Sequence, residues 1–196
     1  MLAALVSLGP LDVVIDGAED HDGAWTRYVS GFPGAERIAS DGLRTTYRLP
    51  AGPNPDAVVG PIVPIVGISA FRHDAAVIVD GRIETEWGDD PQRPEQWISA
   101  DLGAPHEVGG ITHAMGEYAR DFPRHLVIDT SLDGTTWEAG WEGSTAGLAF
   151  LAAVRGPREA AMHIAFAPRQ ARFVRLRQLA HHKNMWRIAE LTVHER

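Results

Sequence analysis

Short segments with an apolar–polar alternation, separated by turn signals, fill the chain from about residue 66 onward and constrain its fold more than any other feature. In 171–178, for example, Phe173, Val174 and Leu176 interleave with arginines, which is typical of a strand with one dry and one wet face. The predicted strands are 76–79, 96–102, 107–113, 125–131, 136–140, 147–154, 160–166, 171–178 and 187–194. Many short strands joined by turns predict a mainly β domain, a sandwich or a barrel.

A series of short strings runs in order through the same region. They are Asp80-Gly81 followed by Thr85 and Trp87, Gln96-Trp97-Ile98, Asp101-Leu102-Gly103, Phe122-Pro123-Arg124, Ser131-Leu132-Asp133-Gly134 with Trp137, Ala171 to Leu176, and Ile188-Ala189-Glu190-Leu191. In this order they resemble the discoidin family, also called the coagulation-factor type C domain, over residues 66–196. The resemblance implies a galactose-binding-like jelly-roll β-sandwich, a fold shared with carbohydrate-binding modules, and a function of binding rather than catalysis.

The composition excludes several other classes of function. Lys plus Arg is 18 and Asp plus Glu is 26, so the formal charge is −8, which argues against nucleic-acid binding and against electrostatic docking on anionic lipid. The chain has no cysteine, which excludes disulfides and cysteine-based zinc sites. It also carries no Gly-x-Ser-x-Gly elbow and no phosphate-binding glycine loop, so the sequence predicts no catalytic set.

The first fifty residues have a different character from the rest. Residues 1–50 predict a small α/β segment with a helix at 2–8, a strand at 11–15, a helix at 24–31 and a strand at 43–49. This order is similar to the soluble C-terminal end of membrane-bound bacterial glycosyltransferases. Residues 51–65 are rich in proline and predict a linker or an extended edge segment, after which the sandwich occupies 66–196.

The apolar start of the chain, residues 1–15, does not have the pattern of a signal peptide or of a membrane span. It lacks a basic n-region, Pro10 and Asp12 interrupt it, and it is shorter than the ~20 apolar residues that span a bilayer. Because relatives of the sandwich commonly work outside the cytoplasm, the resemblance implies an extracytoplasmic location, periplasmic or at the cell surface. We therefore expect the chain to be the tail of a larger envelope protein.

The loop that begins at Asp80 is the first candidate site. In the discoidin family such a loop often holds a structural Ca²⁺, and the resemblance implies Asp80, Thr85 and Glu190 as metal ligands. Ca²⁺ takes about 6–8 oxygen ligands, which carboxylates, hydroxyls and backbone carbonyls supply. Arg82 departs from the family, whose members usually have an acidic or amide residue there, and this weakens the expectation. The alternative is that Asp80 and Thr85 only cap the turn.

The second candidate site is a sugar-binding face formed by loops at one end of the sandwich. Carbohydrate-binding relatives present an aromatic ring for a pyranose and polar groups for its hydroxyls. Tyr118 is the expected ring, whereas Trp87, Trp97 and Trp137 occupy family positions that are usually core. The expected polar contacts are Glu117, Arg120, Asp89, Arg93, His181, His182, Lys183 and Asn184. For any one of these side chains the alternative is a solvated surface group.

The histidines and the acidic loop 16–22 are weaker candidates for a functional site. The histidines show no His-Glu-x-x-His helix, so a transition-metal site is not favoured. The acidic loop 16–22 is more typical of a solvated connector than of a site. The leading hypothesis is therefore a non-catalytic module that binds a cell-envelope or polysaccharide glycan. The alternatives are a structural domain that docks onto a parent or partner envelope protein, and the accessory end of a membrane glycosyltransferase.

Overall fold

A computed structural model describes residues 2–7, 9–52, 60–89 and 91–195. The chain divides into two compact units, Met1–Asn54 and Pro55–Arg196. Residues 53–59, about half of the proline-rich segment expected to be a linker, lie outside the described residues. Its described end contains the short strand Ile62–Val63, which belongs to the second unit. Of the helices that the structure describes, none has the length and apolar character that crossing a bilayer requires.

The first unit is a small antiparallel sheet with helices. Its elements are α1 (Leu2–Val6), β1 (Leu11–Asp16), α2 (Ala24–Ser30), β2 (Glu36–Ser40) and β3 (Arg44–Leu49), with the strand order β1-β3-β2. Leu2, Val6, Ile15, Val29 and Leu49 form its core. The structure confirms the predicted helices and strands. Strand β2 was not predicted because every residue in it is exposed, so no alternation marks it.

The second unit is a β-sandwich. Its elements are β4 (Ile62–Val63), β5 (Gly67–Ala70), β6 (Trp87–Asp89), β7 (Trp97–Ala114), β8 (His125–Ser131), β9 (Glu138–Ser144), α3 (Ala146–Arg155), β10 (Ala161–Gln178), β11 (Trp186–Ile188) and β12 (Glu190–Glu195). The large sheet has the order β4-β12-β7-β10-β8-β9, β5 pairs with β7, and β11 pairs with β6. The mainly β jelly-roll prediction is confirmed.

Two long strands, β7 and β10, connect the layers of the sandwich. Each merges two strands that the sequence predicted separately, because the chain bends through an irregular stretch and then continues pairing. In β7 the bend contains Gly103, whose φ of 78° lies in the left-handed region that glycine tolerates best. The first part of β7 pairs with β5 and the second part with β12. The sheet therefore folds around one core, to which both parts contribute, for example Ile98 and Ile111.

Two predicted strands are wrong. Residues 76–79 form a short 3₁₀ helix, Ala76–Val79, which leads into the Asp80 loop. Residues 147–154 lie in α3, which is rich in alanine and leucine and buries Ala149, Leu151 and Ala152. A short apolar run does not distinguish a buried strand from a buried helix, and here the high helix propensity of alanine and leucine decides the outcome.

The tryptophans expected in the core divide between the core and the surface of the sheet. Trp87 is buried as predicted and packs edge-on against buried Trp186, with 5.4 Å between ring centroids. Trp97 and Trp137 are only partly buried, so their assignment to the core is wrong. Because Ile98 and its alternate neighbours on β7 point inward, Trp97 points to the outer face of the sheet.

Candidate functional site

Buried Gln92 holds together the loops at one end of the sandwich. We call this region the loop end: residues 91–96, 115–124 and 179–185. The Gln92 side chain, 1% exposed, donates from Nε2 to the carbonyls of Phe122 (2.9 Å) and Met185 (2.8 Å). Its Oε1 accepts from the backbone N–H of Arg124 at 3.0 Å, and its own backbone exchanges hydrogen bonds with His182. One fully satisfied amide therefore fixes the position of all three loops.

Asp89 lies inside the domain rather than at its surface. It is 4% exposed, and Oδ2 accepts a hydrogen bond from Nε2 of buried Gln96 at 3.0 Å. Gln96 also receives the backbone N–H of Arg93 at 2.9 Å and so holds the 91–96 loop in place. The expectation that Asp89 contacts a ligand directly is corrected by this burial, because its carboxylate supports the loop from within.

Tyr118, the expected aromatic platform, is held by a cation–π contact. The Arg187 guanidinium carbon lies 3.8 Å from the centroid of the Tyr118 ring. Arg187 in turn forms ion pairs with Glu86 and with Asp121, the latter at 3.3 Å. Tyr118 remains 36% exposed, so the ring is both oriented from behind and accessible. Such a fixed, partly exposed ring is suited to stacking on an apolar ligand face.

A cleft of about 370 Å³ opens beside this ring, and we call it the tyrosine cleft. Its lining residues are Ile83, Glu84, Glu86, Glu117, Tyr118, Arg158 and Glu159. Two of the expected ligand-binding residues, Glu117 and Tyr118, thus lie together in one concave site of the size typical of small-molecule pockets. The lining contains more carboxylates than guanidinium groups, so the cleft offers mainly hydrogen-bond acceptors.

The other expected ligand-binding residues lie along the neighbouring rim of the loop end. The Asn184 side chain donates to the carbonyl of Arg120 at 3.4 Å, and Arg124 donates to the same carbonyl at 2.9 Å. His181 and Lys183 are exposed. Nδ1 of His182 accepts from the backbone N–H of Asn184 at 3.0 Å, so this nitrogen is already used within the loop. The rim therefore presents Arg120, His181 and Lys183 to solvent.

Two arginine side chains at the loop end have incompletely used donors. Nε of Arg93 and Nε of Arg124 are buried and have no hydrogen-bond partner among the described residues. Burial lowers the pKa of Arg124, whose guanidinium carbon lies 3.7 Å from the centroid of the Phe122 ring. Partial burial lowers the pKa of His182, and the positive charges of Arg124 and Lys183 lower it further. His182 is therefore mainly neutral at pH 7.

The Asp80 loop brings together the oxygen atoms that the resemblance named. Thr85 Oγ1 lies 3.0 and 2.9 Å from the two carboxylate oxygens of Asp80, 2.9 Å from the carbonyl of Arg82 and 3.5 Å from that of Val77. The backbone N–H of Arg82 donates to Asp80 at 2.9 Å, so the turn cap is also present. A hydroxyl has one proton and cannot satisfy four acceptors. This excess of acceptor oxygens fits a hard cation.

Glu190 reaches the same loop from β12. Its Oε2 accepts the backbone N–H of Gly81 at 3.2 Å. Burial raises the pKa of the Glu190 carboxyl, and the nearby negative charge of Asp80 raises that pKa further. Within the described residues, no three His, Cys, Asp or Glu side chains cluster as a metal site. A Ca²⁺ shell here would therefore combine two carboxylates with the Thr85 hydroxyl and backbone carbonyls.

Sequence reasoning did not identify two residues that organise the site. Neither Gln92 nor Arg187 was among the predicted site residues. A glutamine between prolines and arginines in a loop gives no signal of burial, because its partners are backbone carbonyls up to 93 residues away. Arg187 alternates with Trp186 and Ile188 in a strand-like pattern that predicts an exposed side chain, whereas the Arg187 side chain is 15% exposed and stacks on Tyr118.

Comparisons with known proteins agree with this architecture. The model of the F5/8 type C domain matches residues 68–191. The CBM32 of AlyQ in complex with 4,5-unsaturated mannuronic acid is similar in structure, with a TM-score of 0.54, 22% identity, and coverage of 68% of this chain and 97% of that one. The family 32 CBM of Clostridium perfringens NanJ in complex with galactose is also similar, with a TM-score of 0.52 and 19% identity. The match covers 68% of this chain and 98% of that one.

One of the similar solved structures is a longer chain, of which this protein matches only a part. This chain spans 33% of a truncated AlyQ that contains both CBM32 and alginate lyase domains, with a TM-score of 0.54 and 22% identity over 69% of this chain. No curated protein matches the chain. The likeness to the solved structures shows the fold, and the family model covers more than half of the sequence. The chain belongs to the F5/8 type C, or discoidin, domain family.

Proposed function

We propose that the chain is a non-catalytic carbohydrate-binding module that holds a glycan at the loop end, with one sugar ring in the tyrosine cleft. The observation that carries this proposal is the exposed ring of Tyr118, oriented by Arg187 and set in a concave site lined by Glu117 and other polar groups. Arg120, His181, Lys183 and Asn184 lie on the rim, where they meet the next sugar units. Similar modules form complexes with 4,5-unsaturated mannuronic acid and with galactose, which supports a sugar as the ligand.

The charge of the cleft indicates which sugars fit it. Glu84, Glu117 and Glu159 outnumber Arg158, while Glu86 is paired with Arg187. Carboxylates accept hydrogen bonds from sugar hydroxyls, but they repel a uronic acid at close range. We therefore expect neutral or amine-bearing glycans of a cell envelope or polysaccharide to bind better than uronates. An affinity in the micromolar to millimolar range, about −4 to −8 kcal/mol, suits a shallow site with one stacking ring.

Tyr118→Ala should abolish binding at the loop end while leaving the domain folded. The ring is partly exposed, so its removal costs little packing, but it removes the apolar surface on which a pyranose stacks. Calorimetric titration with a panel of neutral, amino and acidic sugars measures the change. Tyr28→Ala, at another partly exposed tyrosine in the first unit, is the matched control. Unaltered affinity in Tyr118→Ala would contradict the proposed site.

We also propose that the Asp80 loop binds a structural Ca²⁺ through Asp80, Thr85, Glu190 and backbone carbonyls. The crowding of acceptor oxygens around Thr85 Oγ1 supports this proposal. The raised pKa of the Glu190 carboxyl, which burial causes and the nearby charge of Asp80 increases, supports it too, because a bound cation would stabilise the ionised form. When bound, the ion would neutralise this repulsion and join β12 to the loop. It has no catalytic part in the proposal.

Two substitutions separate the ion from the turn cap. Asp80→Ala should lower the melting temperature both in chelator and in Ca²⁺, because it removes a ligand and also the acceptor for the Arg82 N–H. Glu190→Gln should abolish the rise in melting temperature that Ca²⁺ gives, yet leave the value in chelator equal or higher, since it removes a penalised charge. Thermal melts in chelator and in millimolar Ca²⁺ measure both effects. An Asp80→Ala melt that is unchanged both in chelator and in Ca²⁺ would refute both assignments.

The module would work outside the cytoplasm as part of a longer envelope protein. The truncated AlyQ, in which a CBM32 accompanies an alginate lyase domain, supports membership of a longer protein. In such an arrangement the first unit, Met1–Asn54, would belong with the parent protein, for example a membrane glycosyltransferase. Sequencing the reading frame upstream of Met1 tests this context.

A further inference from the structure

A second concave surface lies on the outer face of the large sheet, and none of its lining residues belongs to the loop end. We call it the sheet-face cleft. It has a volume of about 490 Å³, and its lining includes Trp97, Trp137, Phe173, Arg175, Ser69 and Ser99. The strand pairing places these side chains together, because Ser69 is opposite Ser99 and Ser99 is opposite Arg175. The volume is within the range of about 300–1,000 Å³ typical of ligand sites.

The lining of the cleft combines aromatic side chains with hydroxyl groups. Trp97, Trp137 and Phe173 are partly buried, so each presents some ring surface to solvent. The two serines between them are small and supply a donor and acceptor each. Aromatic rings pack against the apolar C–H faces of sugars, and hydroxyl groups pair with their hydroxyls.

Trp137 is held in place before any ligand arrives. The Arg175 guanidinium carbon lies 4.1 Å from the centroid of the Trp137 ring. Arg175 is fixed in turn by Asp129, which is 4% exposed at its side chain and accepts from Nε and Nη2 at 3.1 and 3.0 Å. A guanidinium has five N–H donors, so Arg175 retains donors beyond these two. The ring and the donors are therefore preorganised, which reduces the entropy cost of binding.

The charges around the cleft are paired with each other. Asp101 on the lining accepts two hydrogen bonds from Arg172, at 2.9 and 3.0 Å. Asp129 is shared by Arg175 and Arg177. An acidic or basic ligand would have to compete with these existing ion pairs. A neutral ligand loses nothing to them, so the charge pattern favours a neutral occupant.

We propose that the sheet-face cleft is a second glycan site, which binds a neutral linear oligosaccharide along the face of the sheet. The choice of a sugar as the ligand class rests on the proposed function, but the site shares no lining residue with the tyrosine cleft. Two sites on one module allow two segments of one polymer to be held together. The second contact then occurs at a high effective concentration.

Ser69→Tyr tests the site without removing a packed group. Ser69 is exposed on the short strand β5, and tyrosine suits a strand, so the variant fills the cleft and should still fold. Trp137→Ala is the second variant, with Leu132→Ala, an exposed residue of the same hairpin, as its control. The probes are neutral hexasaccharides of β-1,4-linked glucose, xylose, mannose and galactose. Backbone amide chemical shifts report binding separately at residues 67–69 and 99–101 and at the loop end.

We expect saturable shifts at residues 67–69 and 99–101 that persist in Tyr118→Ala. Trp137→Ala should weaken this binding by at least about tenfold, as expected for the loss of one stacked ring surface, and Ser69→Tyr should weaken it as much by filling the cleft, while Leu132→Ala leaves it unchanged. Binding at the loop end alone would overturn the second site and leave the proposed function intact. Self-association of the chain that Ser69→Tyr prevents, with no sugar shift in the cleft, would also overturn it in favour of a protein contact.

Discussion

Gln92→Ala is expected to lower the free energy of unfolding by about 3 kcal/mol and to abolish sugar binding at the loop end. The substitution removes three side-chain hydrogen bonds that tie the loops together. Each buried partner that loses its bond costs about 1–3 kcal/mol if it stays unsatisfied, and water entering the space would relieve part of this. The effect on binding follows because Tyr118 and the 179–185 loop no longer have a fixed relative position.

Urea unfolding and calorimetric titration of the same variant measure the two effects. Gln170→Ala is the matched control, because Gln170 is an exposed glutamine on β10. It should change the free energy of unfolding by less than about 0.5 kcal/mol. If Gln92→Ala unfolds at the wild-type urea concentration and binds sugar normally, then the buried amide does not organise the loop end.

Acidification is expected to destabilise the sandwich through His113. This histidine is fully buried on β7, where its Nε2 accepts a hydrogen bond from Trp186 Nε1 at 3.0 Å. Burial lowers the pKa of His113 from 6.5 to about 4. In the unfolded chain the imidazole takes up its proton near pH 6.5, whereas in the folded domain it resists protonation down to about pH 4. The unfolded state therefore binds more protons between these values, and stability falls as the pH falls through this window.

The size of this effect follows from the width of the window. One pKa unit corresponds to about 1.4 kcal/mol, so His113 contributes a loss that approaches about 3 kcal/mol near pH 4. His113→Gln keeps an acceptor for Trp186 and does not titrate, so its urea midpoint should fall less between pH 7 and pH 4.5. A smaller decline should remain, because burial and the charge of His163 also lower the pKa of His194.

Exposed His181→Gln is the matched control for this pH dependence. It should follow the wild-type profile, since the substitution lies on the exposed rim of the loop end and leaves buried His113 in place. A His113→Gln profile identical to that of the wild type would show that protonation of His113 is not what destabilises the domain in acid.

The sequence predicted the features that are local or that repeat a family pattern. The alternation of apolar and polar residues in 171–178 predicted the strand. Successive side chains of a strand point to opposite faces of the sheet, so every second residue is buried when one face is covered. The Asp80, Thr85 and Glu190 oxygens were expected together from the resemblance, and the structure places them within one loop and its neighbouring strand. In these cases the partners are close along the chain or fixed by the fold.

Features that depend on contacts distant in sequence could not be predicted. The burial of Trp97 and Trp137 depends on which face of the sheet is covered by other elements. Residues adjacent in sequence do not indicate which face that is. An aspartate in a polar segment such as that around Asp89 is usually exposed. Asp89 is buried instead, because its carboxylate accepts a hydrogen bond from the buried Gln96 side chain. Arg187 stacks on Tyr118 only because β11 and the 115–124 loop meet in space.

The most direct test of the glycan-binding claim is a titration of the isotopically labelled chain with neutral and amino oligosaccharides, followed by backbone amide chemical shifts. The account predicts saturable shifts at residues 115–124 and 179–185, reached at micromolar to millimolar sugar and absent in Tyr118→Ala. A spectrum that stays unchanged at the loop end with every sugar at millimolar concentration would contradict it.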